Sequence, residues 1–273
     1  MPCEALEPCA RREHDALVSA HSEQERCLRA TIQWAYQLRS VLGAVQETQG
    51  DRVHFRPASK GIAMVGLLAD RPQRGKGGMT QLSRIADEFD TMFSTHCRDI
   101  EHGRVTGEKA LQSFLISEAY SHQRRMRSLN DATKATDAPV ELWFITDEIA
   151  LPLERGKTVC DVLALRRDNG RCTPILLELK DARHLTRLVQ QVSAYSDLIN
   201  THATLFSELY GALLGEPIQF NGPAEKWIIW PGRGLTRDPR EDELAAQGIR
   251  TVGYTLAPDA RYAFRVGRAP TAV

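Results

Sequence analysis

The stretch CDVLALRRDNGRCTPILLELK, residues 160–180, reads as two strands joined by a tight turn. Thr158–Leu165 and Pro174–Leu179 are rich in Val, Leu and Ile, and Asp168-Asn169-Gly170 between them is a strong hairpin turn. Side chains alternate along a strand, so Glu178 and Lys180, two apart, point to the same face. Folding about the turn brings Asp161, at the start of the first strand, alongside the end that carries Glu178. Ile175, Leu176, Leu177 and Leu179 surround that end, which argues for a central strand covered on both faces. Three charged groups placed there cost stability unless they are paired or bind an ion. Two carboxylates converging beside an ammonium are what phosphodiester hydrolysis needs. Carboxylate oxygens bind a hard cation, the cation polarises the phosphate and its water, and the lysine stabilises or orients the attacking hydroxide.

Working outward, Leu142–Ile145 is a further strand, and Trp227–Trp230 and Ile249–Leu256 are two more, with a short helix at Arg240–Gln247 between them. Helical patterns cover 182–199 and 201–214. Upstream, Thr106 is placed to cap a helix running from Gly107 to about Leu129, followed by the linker-like NDATKATDAP. From 104 onward the order is helix, three strands, helix, helix, strand, helix, strand, an α/β layout with a mixed sheet. The first 103 residues are mostly helical. Leu17, Cys27, Leu28, Ile32, Tyr36, Leu38 and Leu42 recur at spacings of three and four, and the pattern ends near Gly50. Extended stretches follow at Val53–Phe55 and Ile62–Leu68, then a loop at 69–78, then another helical pattern from Thr80. The expectation is two parts: 1–103, a helical region serving regulation or oligomerisation, and 104–273, a catalytic domain.

The motif resembles that of the PD-(D/E)XK nuclease superfamily: an Asp, a spacer spanning a hairpin, then Glu-x-Lys. Here it reads Asp161 and, seventeen positions on, Glu178-Leu179-Lys180, with Cys160 where the namesake motif has proline. QQVSAY, holding Gln190, Gln191 and Tyr195, looks like the Gln-x-x-x-Tyr that follows the lysine in the RecB-like branch, and GEKALQSFL looks like the first core helix of Mrr- and Shedu-like members. The resemblance covers 104–256 and implies a restriction-endonuclease-like core: a central mixed sheet flanked by helices. It implies a Mg²⁺- or Mn²⁺-dependent nuclease, with metal ligands Asp161, Glu178, the Leu179 carbonyl and Glu108, or Glu118 on the same helix in its stead. Lys180 would activate water or hold the phosphate, and Gln191 would orient the lysine or the DNA. A non-catalytic nucleic-acid-binding or regulatory protein on the same fold is the competing expectation. A role in restriction, repair or anti-phage defence follows only by analogy.

The chain has 273 residues, of which 42% are hydrophobic and 26% charged, ordinary for a globular protein. Lys+Arg and Asp+Glu balance at 35 each, so a nucleic-acid partner must be met by a local basic patch. Arg124 and Arg125 in HQRRMR, and Arg74 and Lys76 in RPQRGKGG, are candidate phosphate contacts, and Tyr195 on its helix is read equally as a packing residue or a nucleic-acid contact. Asp147 and Glu148, near the end of a strand, are read as solvated, and His184 as a surface histidine. The second basic run lacks the spaced first Gly and the Ser or Thr of a phosphate-binding loop, which excludes nucleotide binding there. The six cysteines form no Cys-x-x-Cys pair and stand near no histidine at zinc-ligand spacing. The polar start and the lack of a long apolar run lead to the expectation of a cytoplasmic protein with reduced thiols and no membrane contact. Oligomerisation, if any, would run through the helical first half.

Overall fold

The hairpin is the centre of the molecule. In the computed structural model the described residues are 7–50, 53–67, 77–79, 107–134, 141–154, 156–181, 187–232, 239–256 and 262–267. They form α1 (Glu7–Gln49), β1 (Val53–Ala58), β2 (Gly61–Gly66), β3 (Gly77–Met79), α2 (Gly107–Ser121), α3 (Arg127–Lys134), β4 (Glu141–Asp147), β5 (Ala150–Pro152), β6 (Lys157–Val159), β7 (Val162–Asp168), β8 (Arg171–Leu179), α4 (Leu188–Thr201), α5 (Ala203–Leu214), β9 (Glu225–Pro231), α6 (Pro239–Ala246), β10 (Ile249–Leu256) and β11 (Tyr262–Val266). A six-stranded mixed sheet runs in the order β11-β10-β9-β8-β7-β4. Strands β8, β9 and β10 are parallel neighbours, while β7, β4 and β11 pair antiparallel. Asn169 (φ 47°) and Gly170 (φ 79°) are the two turn residues, both left-handed as a two-residue hairpin demands. Asp168 pairs with Arg171 and Val162 with Leu177, so one further step along the same register sets Asp161 opposite Glu178.

Alternation along β7 and β8 feeds two cores. Leu163, Leu165 and Leu176 face a layer built by α4 and α5, including Val192, Tyr195, Ile199, Phe206 and Tyr210. Val162, Ala164, Ile175, Leu177 and Leu179 face the opposite layer, where Leu111, Leu115, Ile116 and Ala119 of α2 pack. Burial on both faces is why this hairpin carries near-continuous apolar runs. α1 joins the first layer through Leu28, Ile32 and Ala35. One turn further on, its Leu38 and Leu42 pack with Phe55, Ile62 and Met64 of β1 and β2. At the end of α1 a Cβ on Gly50 would stand 2.8 Å from Gln46 O and 2.9 Å from Tyr120 Cβ, so only glycine allows this approach to α2.

Several expected elements are re-cut. The helix expected over 107–129 stops at Ser121, because Gln123 (φ 54°) and Arg124 (φ 68°) turn the chain onto the outer edge of β4. There Phe144 N–H donates to Arg124 O at 2.8 Å and Met126 N–H to Leu142 O at 2.9 Å, covering a sheet edge that would otherwise be open. The supposed linker begins inside α3, where Asn130 Oδ1 accepts the Leu142 N–H at 2.6 Å. The strand expected over 158–165 is two, broken at Cys160–Asp161. Gly77 and Gly78, read as loop, lie in β3, which pairs with β2. β5 and β11 were not anticipated. The helical pattern from Thr80, the 103/104 boundary and His184 lie outside the described residues. Among the described residues no helix is long and apolar enough to cross a membrane.

Candidate active site

The broken strand places the site. Asp161 stands between β6 and β7, where its Oδ2 accepts the Leu179 N–H at 2.8 Å. Glu178 is buried at 1% exposure, one residue before the end of β8. Lys180 follows directly, its N–H donating to Ile229 O at 2.9 Å and so extending the β8–β9 ladder. Its ammonium bonds Glu178 Oε1 at 2.8 Å and the Leu179 carbonyl at 2.9 Å. It lies 3.9 Å from Asp161 Oδ2 and 3.7 Å from Glu108 Oε2. Glu108 arrives from the other layer: it is in the first turn of α2, whose start touches Asp181 (a Cβ on Gly107 would be 3.4 Å from that of Asp181). Three carboxylates therefore surround one ammonium at the carboxyl end of β8.

Fully ionised, the group carries two more negative charges than positive. Burial sets the direction of the carboxyl shifts, and the neighbouring charges add to it or oppose it. Burial and then Asp161 push the Glu178 carboxyl up to about 7, against the pull of Lys180. Burial also raises Asp161, opposed by Lys180 and the Leu179 N–H, and raises Glu108, with Asp161 adding to it. Burial pulls the Lys180 amine down, but Glu178 and Asp161 outweigh it, so its proton is held more tightly than usual. Comparison with protein-family models, with curated proteins and with solved structures gives no match to this chain.

Glu118, the alternative acid on α2, is engaged elsewhere. Its carboxylate accepts the Ser128 N–H at 3.1 Å and the Ser128 hydroxyl, capping the start of α3. Gln191 does not reach the lysine; its amide donates to the Val159 carbonyl at 3.3 Å, two residues before Asp161. Of the two readings of Tyr195 the structure gives the packing one and not the contact: it is 1% exposed, and its hydroxyl donates to Ile149 O at 2.9 Å. Arg124 turns back on the protein, donating to Ile145 O at 3.0 Å and lying over the Tyr120 ring. Arg125 pairs with Glu141 at 3.6 Å and covers the Trp143 ring. Arg74 and Lys76 lie outside the described residues.

A larger correction concerns Asp147 and Glu148, expected in solvent. A β-bulge at Ile145 shifts the β4 register by one, so that Asp147 pairs with Val162 and the Glu148 N–H donates to Asp161 O at 3.3 Å. Asp147 is fully buried. His54 Nε2 is 3.0 Å from its Oδ1, while Arg56 and Gln112 each reach Oδ2 at 3.4 Å. Glu148 accepts Arg56 and Lys109, both at 2.6 Å. Gln112 also donates to the Asp161 carbonyl at 2.7 Å. β1 thus contributes His54 and Arg56 to a buried polar network that ends on the backbone of Asp161.

Proposed function

We propose that this chain is a divalent-metal-dependent nuclease that hydrolyses phosphodiester bonds, DNA being the favoured substrate. One observation carries the reading: Asp161, Glu178 and Lys180 meet at the end of one hairpin, with Glu108 approaching from a separate helix. The run α2, β4, β7, β8, α4, β9 supports a restriction-endonuclease-like core around it.

The residues fit Mg²⁺ or Mn²⁺. The donors of Asp161, Glu178, Glu108 and the Leu179 carbonyl are all oxygen, the type hard dications take. The surplus of two negative charges matches one such ion, and burial, with Asp161 adding to it, holds the Glu178 carboxyl high. Asp161 commits Oδ2 to the Leu179 N–H and keeps Oδ1 for a cation; Glu178, the Leu179 carbonyl and Glu108 complete the set. When bound there, the ion supplies Lewis acidity to the phosphate and its water. Lys180, held charged by Glu178 and Asp161, donates to a non-bridging phosphate oxygen or orients the attacking water. Gln191 steadies the Val159 carbonyl and hence the backbone entering Asp161. Without a cation the three carboxylates would repel an approaching phosphate, so substrate binding would depend on metal.

Purified protein incubated with plasmid and linear DNA in Mg²⁺ or Mn²⁺ should cleave, and Asp161→Ala and Lys180→Ala should each lose orders of magnitude in rate. Equal cleavage by the wild type and both variants overturns the reading. Metal-independent DNA binding without cleavage would instead favour a non-catalytic nucleic-acid-binding role.

A further inference from the structure

Some distance along the chain from these acids, α1 meets the corner between α4 and α5. His21 and Glu25 are four residues apart on α1 and so share a face; His202 is the single residue between the two later helices. One ligand atom from each lies within 4.8 Å of the other two, the one such group of three His, Cys, Asp or Glu side chains among the described residues. We propose that His21, Glu25 and His202 bind a first-row transition-metal dication, zinc being the best fit, which ties α1 to the α4–α5 corner.

The spacing suits the ion. Ligand atoms 2.0–2.1 Å from a tetrahedral zinc are about 3.3 Å apart, and His21 Nε2 lies 3.4 Å from Glu25 Oε1. Two imidazoles and a carboxylate are a donor set that zinc accepts and magnesium does not favour.

The buried member is oriented in advance. Gln24 donates its amide nitrogen to Pro152 O at 2.9 Å, which fixes which end of the amide points away. Its Oε1, a pure acceptor, then faces His202 Nε2 at 3.0 Å, so the ring proton sits on Nε2 and the lone pair on Nδ1. A histidine whose second nitrogen is held by a hydrogen bond is the usual outer support of a metal ligand. The two rings stack with centroids 4.5 Å apart. His21 is half exposed and paired with Glu25, so the outer side of the group is open to an ion arriving from solvent.

Calorimetric titration of the metal-free full chain with Zn²⁺ tests this, in an Asp161→Ala, Glu178→Ala background that removes the two hairpin acids. Adding His21→Ala or Glu25→Ala, both on the outer face of α1, should abolish one equivalent of Zn²⁺ or weaken it at least tenfold. The same changes should remove a Zn²⁺-dependent rise in Tm, and a large excess of Mg²⁺ should not displace the ion. Zn²⁺ uptake and Tm shifts identical with and without His21→Ala and Glu25→Ala overturn the proposal. Because the background lacks the hairpin acids, this outcome is independent of whether the chain cleaves DNA.

Discussion

The side-chain amide of Gln112 donates to the backbone carbonyl of Asp161 at 2.7 Å, from a helix on the opposite layer to the one that covers the Asp161 side of the hairpin. The Glu148 N–H reaches the same oxygen at 3.3 Å. Asp161 is therefore held from behind, through its backbone carbonyl, by a helix side chain and a strand-end N–H.

Outer groups that fix a ligand's position typically change metal affinity about 10–100-fold when lost. Gln112→Leu should weaken Mn²⁺ binding by that order while Asp161, Glu178 and Lys180 remain in place. Titration with Mn²⁺ followed by its electron paramagnetic resonance signal reads this directly. Unchanged affinity would mean that the hairpin alone positions Asp161.

The network behind Gln112 is charged and buried, and it draws on β1. Removing one partner of such a group is far costlier than removing an exposed ion pair, about 3–5 kcal/mol against about 0–1. Arg56 bonds both Asp147 and Glu148 and is 7% exposed. Arg56→Met should accordingly destabilise the chain by about 3–5 kcal/mol in urea unfolding. A loss below about 1 kcal/mol would show that β1 is docked only at the surface.

How much of this was legible in the sequence follows from how local each determinant is. The hairpin could be read because Asp168-Asn169-Gly170 specifies its own turn, and the turn then dictates that Asp161 faces Glu178. The burial of Asp147 could not be read, since its partners come from positions 54, 56 and 112, and the bulge that turns it inward leaves no mark in the composition of β4. Tyr195 stays undecided in the sequence for a related reason. Its place after the lysine suggests a ligand contact, but the hydroxyl is needed to satisfy the Ile149 carbonyl inside the core. The break at Ser121 depends on β4 having an edge to cover, a fact of sheet order rather than of the local sequence.

Glu108 and Glu118 stand on one helix and separate cleanly by experiment. Glu118 caps an eight-residue helix, so Glu118→Ala should cost about 1 kcal/mol of stability and leave DNA cleavage and Mn²⁺ affinity unchanged. Glu108→Ala should do the reverse, lowering cleavage and metal affinity with little loss of stability. Measuring both properties for both variants decides it; the opposite assignment would appear as a cleavage defect in the Glu118 variant.

Glu178 gives the pH dependence. Its carboxyl is raised in the fold from an ordinary 4.5 to about 7 by burial and then by Asp161. Between those values the native state keeps a proton that the unfolded chain has released, so stability falls as pH rises through the interval. At about 1.4 kcal/mol per pH unit, the ionised side chain costs at most about 3 kcal/mol above pH 7, and nothing below the unfolded value. Glu178→Gln should therefore raise Tm at pH 8, and the gain should vanish by about pH 4, below the ordinary glutamate range. A bound dication needs the ionised form, so Mn²⁺ affinity of the wild type should drop as pH falls below about 7, the value at which burial holds this carboxyl. The same metal should raise the Tm of the wild type at pH 8 and leave that of Glu178→Gln nearly unmoved. A variant no more stable than wild type at pH 8, with Mn²⁺ binding flat from pH 5 to 8, would mean that Glu178 is neither strained in the fold nor a metal ligand.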